Sequence, residues 1–395
     1  MKTNNVCAII DDELQEPGLK ALTARRPKST LYFDCKYRII DFALSSISRA
    51  NVHDVFTICD EKKSRSMMDH IAGGRQWGLD SIGNYQYIDF FQDAIRQKKD
   101  GSLHYFDKLI NFLQRSFEPY TVFFGNTVIA NIDLKELVRI HQRQNANVTA
   151  IFKQMPANQI TDDNKILSVS DKGLITSVHS LSDQPLPNHD GSYNLALNIY
   201  IANTDWLINE LKKAQRKSQT ASLQQFFFDK LSGGEVRSFE YAGYVCNVYD
   251  VKSYFDANMG MLDYNNMNEL LYSTQRVISN VRNDVATYYS PESDAADVHI
   301  ATGCRIYGSV KHSLLSRRTV VGKKAHVENS IIMVDGIIKK NAVIKNAILD
   351  KRVQVDAGVK IIGDPDNPLV IPKGMHVTKD IVEEESKSED LVRSR

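Results

Sequence analysis

A six-residue rhythm near the carboxyl end constrains this chain more than any other feature. Leu315, Val321, Val327 and Met333 stand six apart, and after a slip Ile337, Val343, Leu349, Val355 and Ile361 resume the spacing. Small or polar residues fill the intervals, with glycines at Gly303, Gly308, Gly322, Gly336 and Gly358. Such a period is the mark of a parallel β-helix, in which each coil stacks an aliphatic residue on the one below.

The first 260 or so residues obey a different grammar. Val6 to Ile10, Val55 to Cys59, Tyr120 to Phe124 and Val148 to Phe152 read as strands. Between them Asp41 to Ala50, Lys63 to Ala72, Tyr105 to Ser116 and Leu134 to Asn145 read as amphipathic helices. Alternation of this kind predicts an α/β fold with a mostly parallel sheet and helices on both faces. Ligands of such sheets sit beyond the carboxyl ends of the strands, so functional residues are sought there. The expected divisions are a sheet domain over 1–264, a connector over 265–297, a β-helix over 298–380 and a charged tail over 381–395.

Composition narrows the function. With 42% hydrophobic and 25% charged residues the chain has the balance of a soluble globular protein. A net charge of +1 lacks the footprint of a general nucleic-acid binder. Cys7, Cys35, Cys59, Cys246 and Cys304 are odd in number and never spaced CxxC, which argues against a disulfide framework or a structural zinc site. No apolar run of roughly 18 residues appears, so no membrane span is expected. The opening MKTNNVCAII lacks the apolar run of a signal peptide, and the expected location is the cytoplasm.

Three blocks carry a resemblance. LTARRPKSTLYFDCKYRIIDFALSSI (22–47), GYVCNVYDVKSYFDANM (243–259), and GCRIYGSV with KNAILDKRV in the repeat region follow one another in order. Together they resemble the bacterial and plant glucose-1-phosphate adenylyltransferases, in register along the whole chain. The resemblance implies an amino-terminal nucleotidyltransferase (Rossmann-like) domain, a left-handed β-helix and a tetramer. It also implies the family reaction, in which ATP and glucose 1-phosphate give ADP-glucose and pyrophosphate for glycogen biosynthesis. That chemistry needs a backbone cradle for the triphosphate and a divalent metal on the phosphates.

The matching positions depart from the family pattern at each part. Its GGxGxRL loop is replaced by Glu13, Leu14, Gln15, Glu16, Pro17, Gly18 and Leu19, with Asp11 and Asp12 just before. Carboxylates repel phosphate, and Pro17 has no N–H to offer. The two metal-binding aspartates are matched by Asn126 and Asn247, neutral amides that serve magnesium poorly. On the substrate side Glu61 precedes Lys62 and Lys63, Gly101 to His104 replace a GTAD turn, a sugar-phosphate lysine falls near Ser180 or Leu181, and Ala196, Leu197 and Asn198 replace a small-Met-Gly turn. No catalytic residue and no metal ligand is expected, and no tightly bound cofactor; magnesium belongs to a catalytic partner.

The family's basic segment persists as Arg25, Arg26, Lys28, Lys36 and Arg38. It reads either as a site for an anionic effector, such as a sugar phosphate, or a subunit contact, or as an ordinary solvated surface. His312 and His326, the two histidines that could serve acyl transfer in a β-helix, read as solvent-facing. The chain resembles the non-catalytic paralogue of some Gram-positive bacteria, a regulatory or assembly subunit that joins a catalytic homologue in a mixed tetramer. A weakly active adenylyltransferase and a stand-alone sugar-phosphate sensor remain as alternatives.

Overall fold

Burial along the first strand explains the layout of the sheet. In β1 (Val6–Asp12) every side chain is buried: Val6, Ala8 and Ile10 join one apolar cluster, Cys7 and Ile9 another. A strand covered on both faces belongs inside a sheet with helices on each side. The structure, a computed structural model, describes residues 5–13, 16–80, 85–90, 105–216, 222–231, 235–273, 275–280 and 284–383. Within them β1 is followed by α1 (Ile40–Arg49), β2 (Asp54–Cys59), α2 (Ser64–Ile71), β3 (Tyr85–Phe90), α3 (Asp107–Ser116) and β4 (Tyr120–Phe124). Then come β5 (Val128–Ala130), α4 (Leu134–Gln144), β6 (Val148–Pro156), β7 (Ile166–Val169), β8 (Ile175–His179) and β9 (Ser192–Asn203). The unit is completed by α5 (Thr204–Arg216), α6 (Leu223–Leu231), β10 (Val236–Glu240) and β11 (Val245–Asn247).

The main sheet has the order β8-β7-β9-β4-β1-β2-β3, with β6 joining β9 and β10 joining β6. Strands β1, β2, β3 and β4 run parallel, whereas β9 is antiparallel to β4 and β6. One face is covered by α1 and α4 through Ile40, Leu44, Leu134 and Leu137, the other by α3, α5 and α6 through Leu109, Leu207 and Phe227. The four strands and four helices expected from the sequence are all present, with ends shifted by a few residues. All five cysteines are buried and unbridged. No helix among the described residues is long and apolar enough to cross a membrane.

The chain divides into two compact units, one of Met1–Leu31, Arg38–Tyr249 and Asn265–Asn280, the other of Tyr32–Tyr37, Asp250–Tyr264 and Val281–Arg395. Where contiguous pieces were expected, with breaks at 264 and 297, hydrogen bonds interleave them. In the first unit Trp77 Nε1 donates to the Ile278 carbonyl (3.2 Å) and Asn280 Nδ2 to that of His70 (2.7 Å). In the second, Tyr254 in α7 (Val251–Met259) donates to the Tyr32 carbonyl (2.5 Å), and the Asp34 N–H to Asn258 Oδ1 (3.0 Å). Parallel stacking also begins before 298, because Asp294–Ile300 already pairs with Ser309–Leu315.

The carboxyl-terminal repeat is a left-handed parallel β-helix whose central coils are seventeen residues long. Val310 opposes Val327 and Val327 opposes Ile344 (310, 327, 344). Its core column runs Val310, Leu315, Val321, Val327, Ile332, Ile338, Ile344, Leu349, Val355 and Ile361, all buried, at intervals of five, six and six. Three of the residues expected to stack are therefore displaced by one. Ile332, Ile338 and Ile344 take the places assigned to Met333, Ile337 and Val343; Ile337 is 36% exposed, and Met333 is buried outside this cluster. The cause is a left-handed residue within each seven-residue strand, His312, Asn329 or Asn346 (φ 40°, 44° and 49°), which shortens one side of the coil. The slip recurs once per coil.

Candidate functional site

Two strands end together at one edge of the sheet, beside the interior of a third. β1 runs out at Asp11 and Asp12, and β4 at Phe124, which opposes Ile10 on one side and Ile199 of β9 on the other. Beyond Phe124 the Gly125 N–H donates to the Asn198 carbonyl (2.9 Å). Glycine leaves room there for the Asn198 side chain, since a Cβ would stand 2.1 Å from Asn198 Nδ2 and would displace it. Asn126 and Asn198 both take left-handed backbone (φ 49° and 56°), which asparagine tolerates better than most residues. Asn126 Nδ2 reaches back to the Asp11 carbonyl (3.3 Å). This is the edge where sheets of this type hold ligands.

The edge is crowded with buried acid. Asp11 is fully buried; its Oδ1 accepts from the Glu13 N–H (2.9 Å), and its Oδ2 has no partner. Burial, aided by the charges of Glu13 and Asp12, lifts its pKa well above the usual carboxylate range. Burial raises Asp12 to about 7, although Ser29 Oγ donates to its Oδ2 at 2.6 Å and opposes the shift. Glu13 is also raised by burial, while Tyr105 Oη donates to its Oε1 (2.6 Å). Asn198 is 1% exposed, and neither atom of its side-chain amide has a partner.

The basic residues of the family segment go separate ways. Lys28 Nζ donates to Glu16 Oε1 (3.3 Å) and to the Thr127 carbonyl (2.9 Å); burial lowers its pKa, and Glu16 opposes that. Arg26 is buried and its Nε bonds the Leu22 carbonyl (2.9 Å). Arg38 Nη1 bonds the Ser66 carbonyl (2.9 Å). Lys36 is exposed with its ammonium 5.2 Å from the Tyr37 ring centre, and Arg25 is exposed.

Topology brings Asn126 and Asn247, the two positions expected to be degenerate metal sites, to one place, because Asn247 opposes Val128, two residues beyond Asn126. The donors there do not fit magnesium. Asn126 and Asn247 offer neutral amides, and Asn247 Nδ2 is turned to the Gln159 carbonyl (2.9 Å) and Asn164 Oδ1 (2.7 Å). Among the described residues no three His, Cys, Asp or Glu side chains are grouped to hold a metal ion. Glu61 is exposed beside the turn closed by Asp60 Oδ1 and the Lys62 N–H (2.9 Å). Gly101 to His104 lie outside the described residues. Leu181 follows Ser180, whose Oγ lies 3.4 Å from Lys165 Nζ, a cation that sequence reasoning passed over. His312 and His326 are half-exposed and paired with Asp297 and Glu328.

Sequence reasoning also missed that Glu16, inside the altered loop, partners Lys28. The only signal was twelve residues of spacing across a turn whose path local pattern does not fix.

Comparison with known proteins agrees with this architecture. Residues 18–263 match the model of the nucleotidyl transferase family, and residues 285–382 that of the GlmU-like C-terminal hexapeptide. The chain is 24% identical over 359 residues to a glucose-1-phosphate adenylyltransferase of Thermodesulfovibrio yellowstonii, covering 86% of each protein. It is 24% identical over 377 residues to the glycogen biosynthesis protein GlgD of Bacillus subtilis, covering 95% of this chain and 98% of that one. A glucose-1-phosphate adenylyltransferase of Clostridioides difficile is 25% identical over 329 residues, 81% of this chain and 82% of its own.

Proposed function

The chain belongs to the nucleotidyl transferase family, in its glucose-1-phosphate adenylyltransferase branch, and from that premise we propose that it is a non-catalytic subunit. It assembles with a catalytic homologue, as a mixed tetramer, and tunes that partner's rate or effector response in glycogen synthesis. The observation that carries this reading is the edge of the sheet. Where phosphoryl transfer calls for open backbone N–H groups and charged metal ligands, the chain has buried Asp11 and Asp12, partly buried Glu13, and the amides Asn126 and Asn247. Losing both metal carboxylates costs on the order of three decades in rate. Magnesium then serves the partner's site, and a cytoplasmic location goes with the reading.

Scaffold and site have diverged unequally. The two-face core and the coil stacking are intact, and Arg25 and Lys36 remain exposed for a sugar-phosphate effector or a subunit contact. The test mixes the purified chain with a catalytic relative, then measures mass and effector response, with pyrophosphate exchange run on the chain alone. A mixed complex with altered kinetics and no exchange by the chain alone is expected. Absence of co-assembly, or rapid exchange by the chain alone, sinks the proposal.

A further inference from the structure

A buried ammonium requires an anion, and Lys28 has one from its own chain. It is 6% exposed, with Nζ at 3.3 Å from Glu16 Oε1 and 2.9 Å from the Thr127 carbonyl. Thr127 follows the end of β4, and Glu16 follows the end of β1, so the ammonium stands at the ligand-bearing edge. A lone cation so buried is strongly unfavourable, and some oxygen anion has to meet it. Carboxylate and phosphate oxygens are equivalent for that purpose. Asp11, Asp12 and Glu13 crowd the same strand end, but burial draws each toward its neutral form. That leaves Glu16 as the carboxylate bonded to Lys28.

We propose that Glu16 is a built-in anion, which takes the place on Lys28 of a ligand's phosphate group and so closes this edge to polyanions. The inference rests on the non-catalytic reading and names the residue that enforces it. An ordinary structural ion pair behaves differently: removing Glu16 weakens the fold and creates no new affinity.

Tripolyphosphate, without divalent metal, is titrated by calorimetry into the full chain, into Glu16→Gln and Glu16→Ala, and into Glu16→Gln/Lys28→Met. Circular dichroism first confirms that each is folded; using two single variants keeps the result independent of either one's folding. Saturable binding at least tenfold tighter than to the natural chain is expected for the single variants, and its loss in the double variant. Equal affinity for natural chain and folded single variants overturns the proposal, as does binding that survives Lys28→Met. Failure to co-assemble with a catalytic relative would sink the subunit reading and leave this result standing.

Discussion

The sheet edge and the β-helix hold charge in opposite ways. In the β-helix, charges lie on the exposed side and meet opposite charges one coil away. Arg318 grips Asp335 with two bonds (2.7 and 3.0 Å), Lys345 meets Glu328 (2.7 Å) and Lys339 meets Asp356 (2.7 Å), each seventeen residues apart in sequence. At the sheet edge Asp11, Asp12 and Glu13 are consecutive acids, the first two buried and the third partly so, and the nearby cation, Lys28, is bonded to Glu16. Repetition lets a coil answer a charge by geometry, because in the central coils residue i sits beside residue i+17. An edge built from strand ends has no such rule. It keeps strained groupings only where the surrounding core over-determines them.

The strongest way to break this contrast is to remove one partner of the buried pair. Lys28→Met strands Glu16 in a site that is 10% exposed, and loss of one partner from a buried ion pair costs about 3–5 kcal/mol. Denaturant unfolding should show a loss of that size, with much of it recovered in Glu16→Gln/Lys28→Met. A loss below about 1 kcal/mol would place the pair with surface bridges.

The second test uses pH. Asp12 has a folded-state pKa near 7 against 3.8 for the free group, so the folded chain binds the extra proton. Its contribution is therefore intact below about pH 4 and is lost as pH rises through 7. The shift corresponds to something on the order of 4 kcal/mol at most. Asp12→Asn should stabilise the chain at pH 8 and have little effect at pH 4. Glu328 runs the other way: its pKa is held down to about 2, first by Lys345 and then by His326, so its contribution fades as pH falls below the usual carboxylate range. Parallel pH profiles for Asp12→Asn and Glu328→Gln would erase the distinction between the regions.

How much of this could be read from residue order follows the same divide. The fold class was legible because alternation and repetition are local signals. Tyr120–Phe124 was placed to the residue, and Leu315, Val321 and Val327 fell in the core column. Ile332 was missed for Met333 because a left-handed asparagine at 329 takes one residue out of the period, and spacing alone cannot tell such a corner from a single slip. The acidic, glycine-poor stretch after β1 and the amides at 126 and 247 were also legible, since they need only residue types. What those residues do instead was not. The Lys28–Thr127 bond spans 99 positions and the Asn126–Asp11 bond 115, contacts fixed by the sheet order.

A smaller effect sharpens the β-helix side. Ser330 is fully buried; its Oγ accepts from the Ala347 N–H (3.2 Å) and donates to the Glu328 carbonyl (2.7 Å), and its own N–H donates to Ser313 Oγ (3.2 Å). Ser330→Ala orphans one buried N–H and removes a bond to a part-buried carbonyl, worth about 1–3 kcal/mol. Denaturant unfolding should register that loss, and hydrogen exchange should localise it to the strands of that coil. Protection unchanged at Ala347 would mean that the serine column fills space without bonding.

The smallest effect expected is the most diagnostic of how the coil surface works. Glu328 is 41% exposed and touches the Lys345 ammonium and the His326 ring. Exposure discounts its lowered pKa, because solvent and salt screen such pairs, and an exposed bridge contributes about 0–1 kcal/mol. Glu328→Gln at neutral pH should therefore change stability by less than about 1 kcal/mol at low salt, and by nothing measurable near 1 M. Lys28→Met should keep nearly its full cost at both ionic strengths, since the buried pair is shielded from counterions. If both variants lose their effect in salt, the sheet edge is more open to solvent than its burial states, and Glu16 no longer has a sealed cation to guard. If neither does, the coil ladders act as a network, and their spacing of seventeen stabilises the β-helix beyond its aliphatic column.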